Sequence, residues 1–360
     1  MKILVLKFRN IGDVLLAVPL FSNLKKYYPN AQIDISVNKE TESMVSLNPD
    51  INKIIPYDRN KIKSLGLIRR AIKETVFLYS FRVNNYDMII NLTEGDRGAQ
   101  IAWLSGAKIR VGYQNQNWLF RNAFNYHLPK QNLIHTVEQS LSPLRVLNIP
   151  IVGKKVKIFW SKEDDKFVNK LFFIDQKFIH IHPVSRWMFK CISNFTMAKI
   201  IDYCEVELNI KAIITAAPVK AELDRVNNIL SFCKSTPVNL SGKLTLKQTA
   251  ALNKKAKIFI GVDTAIMHIS AANDTPVLAF FGPTGINNWG PWDNSKMKSG
   301  YLQRNGVQTM GMHRVIAESR SCQPCGSDGC NSSKISDCLM NLDITMIKNS
   351  IFEMINGKSN

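Results

Sequence analysis

Two aspartates in this chain stand where chemistry is easily done. Asp263 lies in Phe259-Ile260-Gly261-Val262-Asp263-Thr264-Ala265-Ile266-Met267-His268, which reads as a buried strand, a sharp turn and a helix start. A second apolar strand, Val277–Phe281, runs into Gly282-Pro283-Thr284. Asp263 and Thr264 can cap the helix that follows. A helix start at the carboxyl end of a parallel strand offers free N–H groups and a positive dipole end, which suits a diphosphate. The competing reading makes Asp263 only a cap and His268 only a packed first-turn residue. Asp13 repeats the arrangement. Lys2-Ile3-Leu4-Val5-Leu6 is a strand, Arg9-Asn10-Ile11-Gly12-Asp13 follows, and Val14–Tyr28 has helical apolar spacing. Gly12 would let the backbone turn sharply or approach a ligand. Asp13 could equally be no more than the cap of that helix. Two such turns far apart in sequence suggest two sheets facing a shared cleft.

The elements that must position these residues follow from the pattern. Strands are expected near Ile3–Leu6, Ile33–Val37, Lys53–Pro56, Tyr86–Asn91 and Lys108–Gly112, with helices near Val14–Tyr28, Ile62–Ser80, Gly98–Leu104 and Thr136–Leu147. The second half repeats the alternation, with strands near Phe178–Pro183, Lys211–Thr215, Pro237–Leu240, Lys257–Gly261 and Val277–Phe281. Its helices are expected near Met197–Leu208, Ala221–Phe232 and Leu246–Asn253. Alternation of this kind argues for βαβ units and parallel sheets. The stretch Asn148–Trp160, with Pro150, Gly153 and three lysines, reads as a linker. From Ile286 to Asp337 the pattern is irregular, and Ile344–Ile355 is a closing helix. There is no internal repeat and no low-complexity tract.

Taken in order along the chain, several short motifs resemble glycosyltransferase family 9, the lipopolysaccharide core heptosyltransferases. They are Arg9-x-x-Gly12-Asp13 with Pro19, Asn91-Leu92-Thr93, His182-Pro183 with Ser185-Arg186 and Lys190, Leu240-Ser241-Gly242-Lys243, Gly261-Val262-Asp263-Thr264 with His268, and Phe281-Gly282-Pro283-Thr284. Ser185-Arg186-Trp187-Met188-Phe189-Lys190-Cys191 resembles the branch that adds a third heptose to the inner core. The resemblance implies an α/β protein of GT-B architecture, two Rossmann-like domains facing a central cleft. Residues 1–150 would bind the acceptor, 151–342 the nucleotide sugar, and a closing helix at 343–360 would pack back towards the first domain. It implies an inverting transferase that moves a heptose from ADP-L-glycero-D-manno-heptose to the lipopolysaccharide inner core.

Such a reaction needs a base for the acceptor proton, groups that stabilise the leaving diphosphate, and a firm hold on the nucleotide. Under the resemblance Asp13 is the catalytic base, with Arg9 and Gly12 on the acceptor. Ser185, Arg186, Lys190, Asp263, Thr264, Ala265, His268, Gly282 and Thr284 are the donor-binding set. Lys190 would supply a point charge and Thr264-Ala265 backbone donors. Enzymes of this kind need no bound metal, and the sequence has no DxD-type pair at a strand end. Relatives commonly carry glycine where this chain has Ala265, and a glycine pair where it has Ala216-Ala217, which puts donor identity in question.

Composition sets bounds on the partners. The 360 residues carry a formal charge of +19. Residues 1–150 hold 20 basic and 11 acidic side chains, so the excess is spread over both halves. That field favours an anionic partner, such as a phosphorylated glycolipid or an anionic membrane surface, unless it is merely a solvated basic exterior. No zinc-finger, homeodomain or RNP-like pattern favours nucleic acid. No apolar run is long enough to span a bilayer, and the first residues read as a strand and not a signal peptide. The expectation is a cytoplasmic enzyme, peripheral on the cytoplasmic face of the inner membrane, whose partners are ADP-heptose and a lipid-linked inner-core oligosaccharide. Cys322, Cys325, Cys330 and Cys338 form a cluster that is a candidate structural metal site, or a loop of free or bridged thiols. Two other readings stand beside the transferase: a nucleotide-sugar epimerase on the same fold, for which Glu94 and Asp96 are the nearest second carboxylates, and a non-enzymatic basic protein that binds nucleic acid or membrane.

Overall fold

The computed structural model describes residues 1–130, 133–171 and 177–357. Contacts divide the chain into two units. The first comprises residues 1–132 and 136–159, the second 133–135 and 160–360. The division after Phe159 lies within the linker Asn148–Trp160, later than the expected 150/151.

The first unit contains β1 (Lys2–Lys7), α1 (Ile11–Leu15), α2 (Pro19–Tyr27), β2 (Gln32–Asn38), β3 (Lys53–Tyr57), α3 (Arg59–Lys63), α4 (Leu67–Val83), β4 (Met88–Asn91), α5 (Asp96–Ser105), β5 (Ile109–Gly112), β6 (Tyr126–His127), α6 (Thr136–Ser140) and α7 (Ser142–Val146). Its six strands form one parallel sheet in the order β3-β2-β1-β4-β5-β6. Leu4, Leu6 and Ile89 of the central strands pack with Phe81, Ala99, Ile101 and Ala102 from the covering helices. Burial on both faces explains why β1 and β4 read as unbroken apolar runs.

The second unit contains α8 (Lys162–Asn169), β7 (Phe178–His182), α9 (Asn194–Asp202), β8 (Lys211–Ile214), α10 (Lys220–Ser231), β9 (Val238–Asn239), α11 (Leu246–Lys254), β10 (Ile258–Val262), α12 (Ala265–Ala272), β11 (Val277–Phe280), α13 (Ile286–Trp289), β12 (Val307–Met310), β13 (His313–Ile316), α14 (Asp337–Met340) and α15 (Ile344–Asn356). The sheet order is β12-β13-β11-β10-β7-β8-β9, parallel except for the β12–β13 hairpin at its edge. One face of β7, Ile179 and Ile181, packs on α9, α10 and α15 through Met197, Ile200, Val226, Ile347 and Ile351. The closing helix α15 belongs to the second unit. Among the described residues no helix is long and apolar enough to cross a membrane.

Three expected helices are broken, two at prolines and one at a glycine, the two residue types that fit a helix interior least well. The expected helix 14–28 is two, because Pro19 lacks an N–H and opens α2. Pro143 does the same within 136–147. Gly66 ends the gap between α3 and α4 within 62–80. The region expected to be irregular holds β12 and β13, whose short, half-polar sequences carry no period.

Candidate active site

In each sheet the strand order reverses between two neighbouring strands: β1 and β4 in the first, β7 and β10 in the second. Open α/β sheets bind ligands outside the carboxyl ends of the strands at such a switch point. Asp13 follows β1, and the Asn91-Leu92-Thr93 stretch follows β4. The two segments are tied there, since the Phe8 N–H donates to Thr93 Oγ1 at 2.9 Å. Ser185 follows β7, and Asp263 follows β10.

Asp13 is not a helix cap. Helix α1 starts at Ile11 with Asn10 as its N-cap, and Asp13 sits in the first turn, where the dipole favours a carboxylate. Gly12 lies inside this helix and is not among the glycines with positive φ, so it makes no sharp turn. Among the described residues the Asp13 carboxylate has no hydrogen-bond or ion-pair partner. A charge it does feel is Lys7, buried at the end of β1, whose Nζ donates to Leu92 O at 3.4 Å. Burial lowers the Lys7 pKa, Asp13 opposes this, and Arg9 adds to it. Sequence inspection passed over Lys7 because a strand-end lysine reads as solvent-facing. Arg9 is exposed, and its carbonyl accepts from Asn38 Nδ2 at 3.1 Å.

In the second unit Thr264 alone caps α12, accepting at Oγ1 from the Met267 N–H at 3.4 Å. Asp263, 5 % exposed, accepts at Oδ2 from Lys190 Nζ at 2.6 Å. Lys190, expected from sequence to supply a point charge, is held in place by that carboxylate. Ser185 is buried and its Oγ accepts from the Trp187 N–H at 3.2 Å. Arg186 is exposed, its guanidinium 4.8 Å from the Trp187 ring centre. Ala265 opens α12 and tolerates its methyl there. His268, one turn in, is buried beside Trp289; burial lowers its pKa to about 4, against the raising influence of Asp263. Its Nδ1 and the Thr284 Oγ1 are buried with no hydrogen-bond partner. Buried polar atoms without a partner are uncommon, and these two lie in the segments that follow β10 and β11. Gly282 has a packing reason instead of a ligand-facing one: a Cβ there would lie 2.6 Å from Leu339 Cδ1 and 3.3 Å from Cys338 Sγ.

Sequence inspection missed a buried polar chain behind β7. Asn273 Nδ2 donates to Ala250 O and to Asn253 Oδ1, at 2.8 and 3.3 Å. Ser270 Oγ donates to Ile266 O, so it must accept from Asn253 Nδ2 at 2.8 Å. The same Nδ2 lies 3.0 Å from His180 Nδ1, which therefore accepts. His180 then carries its proton on Nε2 and donates to Thr215 Oγ1 at 2.7 Å. Thr215 donates its hydroxyl hydrogen to His182 Nδ1 at 2.9 Å, so His182 carries its own proton on Nε2 and is a neutral donor at the end of β7. Glu222, also missed, is buried at the start of α10 and accepts from the Ala217 N–H at 3.0 Å. Its only sequence signal was a carboxylate in a first helical turn.

The four clustered cysteines lie near one another: burial raises the Cys338 pKa to about 11, and Cys330, Cys325 and Cys322 add to the rise. Cys322 and Cys325 are exposed and Cys338 is buried against Gly282, and all are free thiols. Among the described residues no group of three or more histidine, cysteine, aspartate or glutamate side chains is placed to hold a metal ion. What the segment does is cover the 282–284 loop: Gln323 Nε2 donates to Gly282 O at 3.2 Å and the Gly326 N–H to Pro283 O at 2.9 Å.

Two Rossmann-like units, with a carboxylate at one switch point and a lysine, a helix N-terminus and orphaned polar atoms at the other, define a glycosyltransferase of the GT-B fold. Comparison with known proteins agrees. Residues 77–316 match the model of "Glycosyltransferase family 9 (heptosyltransferase)". The chain is 32% identical over 294 residues to lipopolysaccharide heptosyltransferase 3 of Escherichia coli, covering 80% of this chain and 85% of that one. Its fold matches E. coli ADP-heptose LPS heptosyltransferase II with a TM-score of 0.74 at 17% identity, over 99% of both chains. It also matches E. coli heptosyltransferase WaaC, solved with ADP, with a TM-score of 0.72 at 18% identity, over 98% of this chain and all of that one. The chain belongs to glycosyltransferase family 9.

Proposed function

We propose that this enzyme transfers a heptose, with inversion, from ADP-L-glycero-D-manno-heptose to the lipopolysaccharide inner core, at the cytoplasmic face of the inner membrane. The observation that carries the donor half is the setting of α12, where the buried Lys190–Asp263 pair and the unpartnered His268 Nδ1 and Thr284 Oγ1 lie by a helix N-terminus. The names of the relatives support heptose and the inner core.

In this reading the acceptor hydroxyl gives its proton to the Asp13 carboxylate as its oxygen attacks the anomeric carbon. The bond from that carbon to the diphosphate oxygen breaks, and ADP leaves with the electron pair. Lys190 and the N–H groups opening α12 stabilise the charge that grows on the diphosphate, and no metal ion is required for this. Lys7 is the buried lysine of this region; burial lowers its pKa and Asp13 opposes that lowering. Arg9, with Lys61, Lys63, Arg69 and Arg70 of the first unit, meets acceptor phosphates. The epimerase alternative is not favoured: Asp96 accepts from Asn117 Nδ2 and Glu94 pairs with Lys130, so neither is poised as a second base.

Calorimetry with ADP, UDP and GDP tests the donor assignment. ADP should bind, with UDP and GDP weaker; a clear preference for UDP or GDP refutes the heptose donor. Lys190→Ala should weaken ADP binding and lower turnover by about 10²–10³, the usual cost of one such electrostatic contact. It should also lower stability by about 3 kcal/mol, because Asp263 is then a buried, unpaired carboxylate. Lys190→Ala with Asp263→Asn should recover most of the stability but not the turnover.

A further inference from the structure

Helix α4 (Leu67–Val83) is amphipathic in the wrong sense for a helix that only covers a sheet. At about 100° per residue, Ile68, Ile72, Val76, Tyr79 and Val83 fall within one narrow sector. All five are exposed, by 56 to 78 %. The opposite sector holds the helix to its unit. Phe81 is fully buried, and Phe77 packs 5.0 Å from both Phe81 and Tyr57. Glu74, on the same inner side, accepts from the Tyr57 hydroxyl at 2.5 Å and from Arg97 at 3.2 Å. The outward stripe is thus not a core face left open by a loose helix. It is a second apolar face, on a helix already anchored by its first.

The charges beside it are of one sign. Residues 59–83 contain seven basic side chains and a single acid, Glu74, which is turned inward. Arg69 and Lys73 border the stripe on α4, and Arg59, Lys61 and Lys63 lie just before it on α3. A helix with bulky apolar residues facing out and lysine and arginine along its border suits the boundary between lipid headgroups and acyl chains. Anionic headgroups complement the basic border, each basic residue adding attraction near the surface.

We infer that α4 is the membrane-docking element of this enzyme, lying in the plane of an anionic bilayer with Ile68, Ile72, Val76, Tyr79 and Val83 inserted. The inference builds on the lipid-borne acceptor proposed above and assigns its surface to one helix. It also gives the basic excess around α3 and α4 a purpose. The sequence pattern alone did not expose the stripe, because α4 is apolar on two faces and reads as an ordinary buried helix.

Cosedimentation of the full-length protein with vesicles tests this. Wild type should bind vesicles of phosphatidylglycerol and phosphatidylethanolamine and only weakly bind pure phosphatidylcholine. Ile68→Ser, Ile72→Ser and Val76→Ser together should lower the partition coefficient by about tenfold or more. Circular dichroism and ADP affinity should be unchanged, and the single change Val76→Glu should act in the same direction should the triple variant be insoluble. Arg69→Gln with Lys73→Gln should lower binding about thirtyfold at low salt. Undiminished binding by the serine variant overturns the inference, as does equal affinity for neutral and anionic vesicles. So does a wild type that ignores vesicles but self-associates through the stripe, which would make a second copy the occupant. Because vesicle binding needs no sugar nucleotide, these results fail or succeed independently of the ADP calorimetry.

Discussion

Asp13→Asn should abolish heptose transfer while leaving the fold and ADP binding almost untouched. The carboxylate has no hydrogen-bond or ion-pair partner among the described residues, so removing its charge breaks no hydrogen bond and takes away only the influence that opposes the lowering of the Lys7 pKa. It sits in the first unit, whereas the candidate nucleotide groups sit in the second. A general base contributes typically about 10²–10⁴-fold to rate, and asparagine cannot accept the proton at all. The expected phenotype is therefore a loss of turnover of that order, an ADP dissociation constant within about twofold of wild type, and a melting temperature within about 2 °C. Thr93→Val offers a contrast: it removes the acceptor that holds the Phe8 N–H and should act through the position of the β1 end, with a smaller effect on turnover. Near-native turnover by Asp13→Asn would reduce the aspartate to a favourable charge at a helix start and remove the base from the mechanism.

Much of the scaffold was legible because parallel strands buried on both faces are written as apolar runs. β1, β4, β7, β10 and β11 could be read that way, and with them the two strand-to-helix turns. The roles within the turns were less legible. Cap preference does not say which of Asp263 and Thr264 caps, and only the structure gives the cap to Thr264 and the ion pair to Asp263. From sequence Gly282 reads only as a donor-binding residue, and its packing against Leu339, more than fifty residues later, is a contact no local pattern encodes. His180, Thr215 and Asn253 come from three elements and meet only when β7, β8 and α11 are assembled. The helices failed at their breaks, where proline and glycine outweighed a continuous apolar period.

The same assembly should make the second unit sensitive to acid. His180, His182 and His268 are buried, and burial lowers their pKa values to about 3, about 4 and about 4, from 6.5 in an unfolded chain. A histidine whose folded pKa is lowered binds its proton more readily when unfolded. Its contribution is therefore fully present above pH 6.5 and is lost as the pH falls from there towards 4. Each of the three contributes up to about 1.4 kcal/mol per pH unit in that window. Between pH 6.5 and 5 the loss for these three is at most about 6 kcal/mol, and His313, buried in β13 with its pKa lowered by burial to about 4, adds at most about 2 more, which together is comparable with the whole stability of a domain. The depressed carboxylates Asp202 and Asp293 act in a separate window, since their contribution is lost only below the ordinary aspartate range. Urea unfolding followed through tryptophan fluorescence, with Trp289 and Trp292 in the second unit, should show the midpoint falling steeply from pH 6.5 to 5. The slope should correspond to uptake of about three to four protons on unfolding. His268→Phe should remove about one proton from that slope, because the ring packs beside Trp289 and makes no hydrogen bond at Nδ1. A flat stability profile across this range would mean that the three imidazoles are protonated in the folded protein, and the neutral chain from Asn253 to His182 could not then exist as drawn.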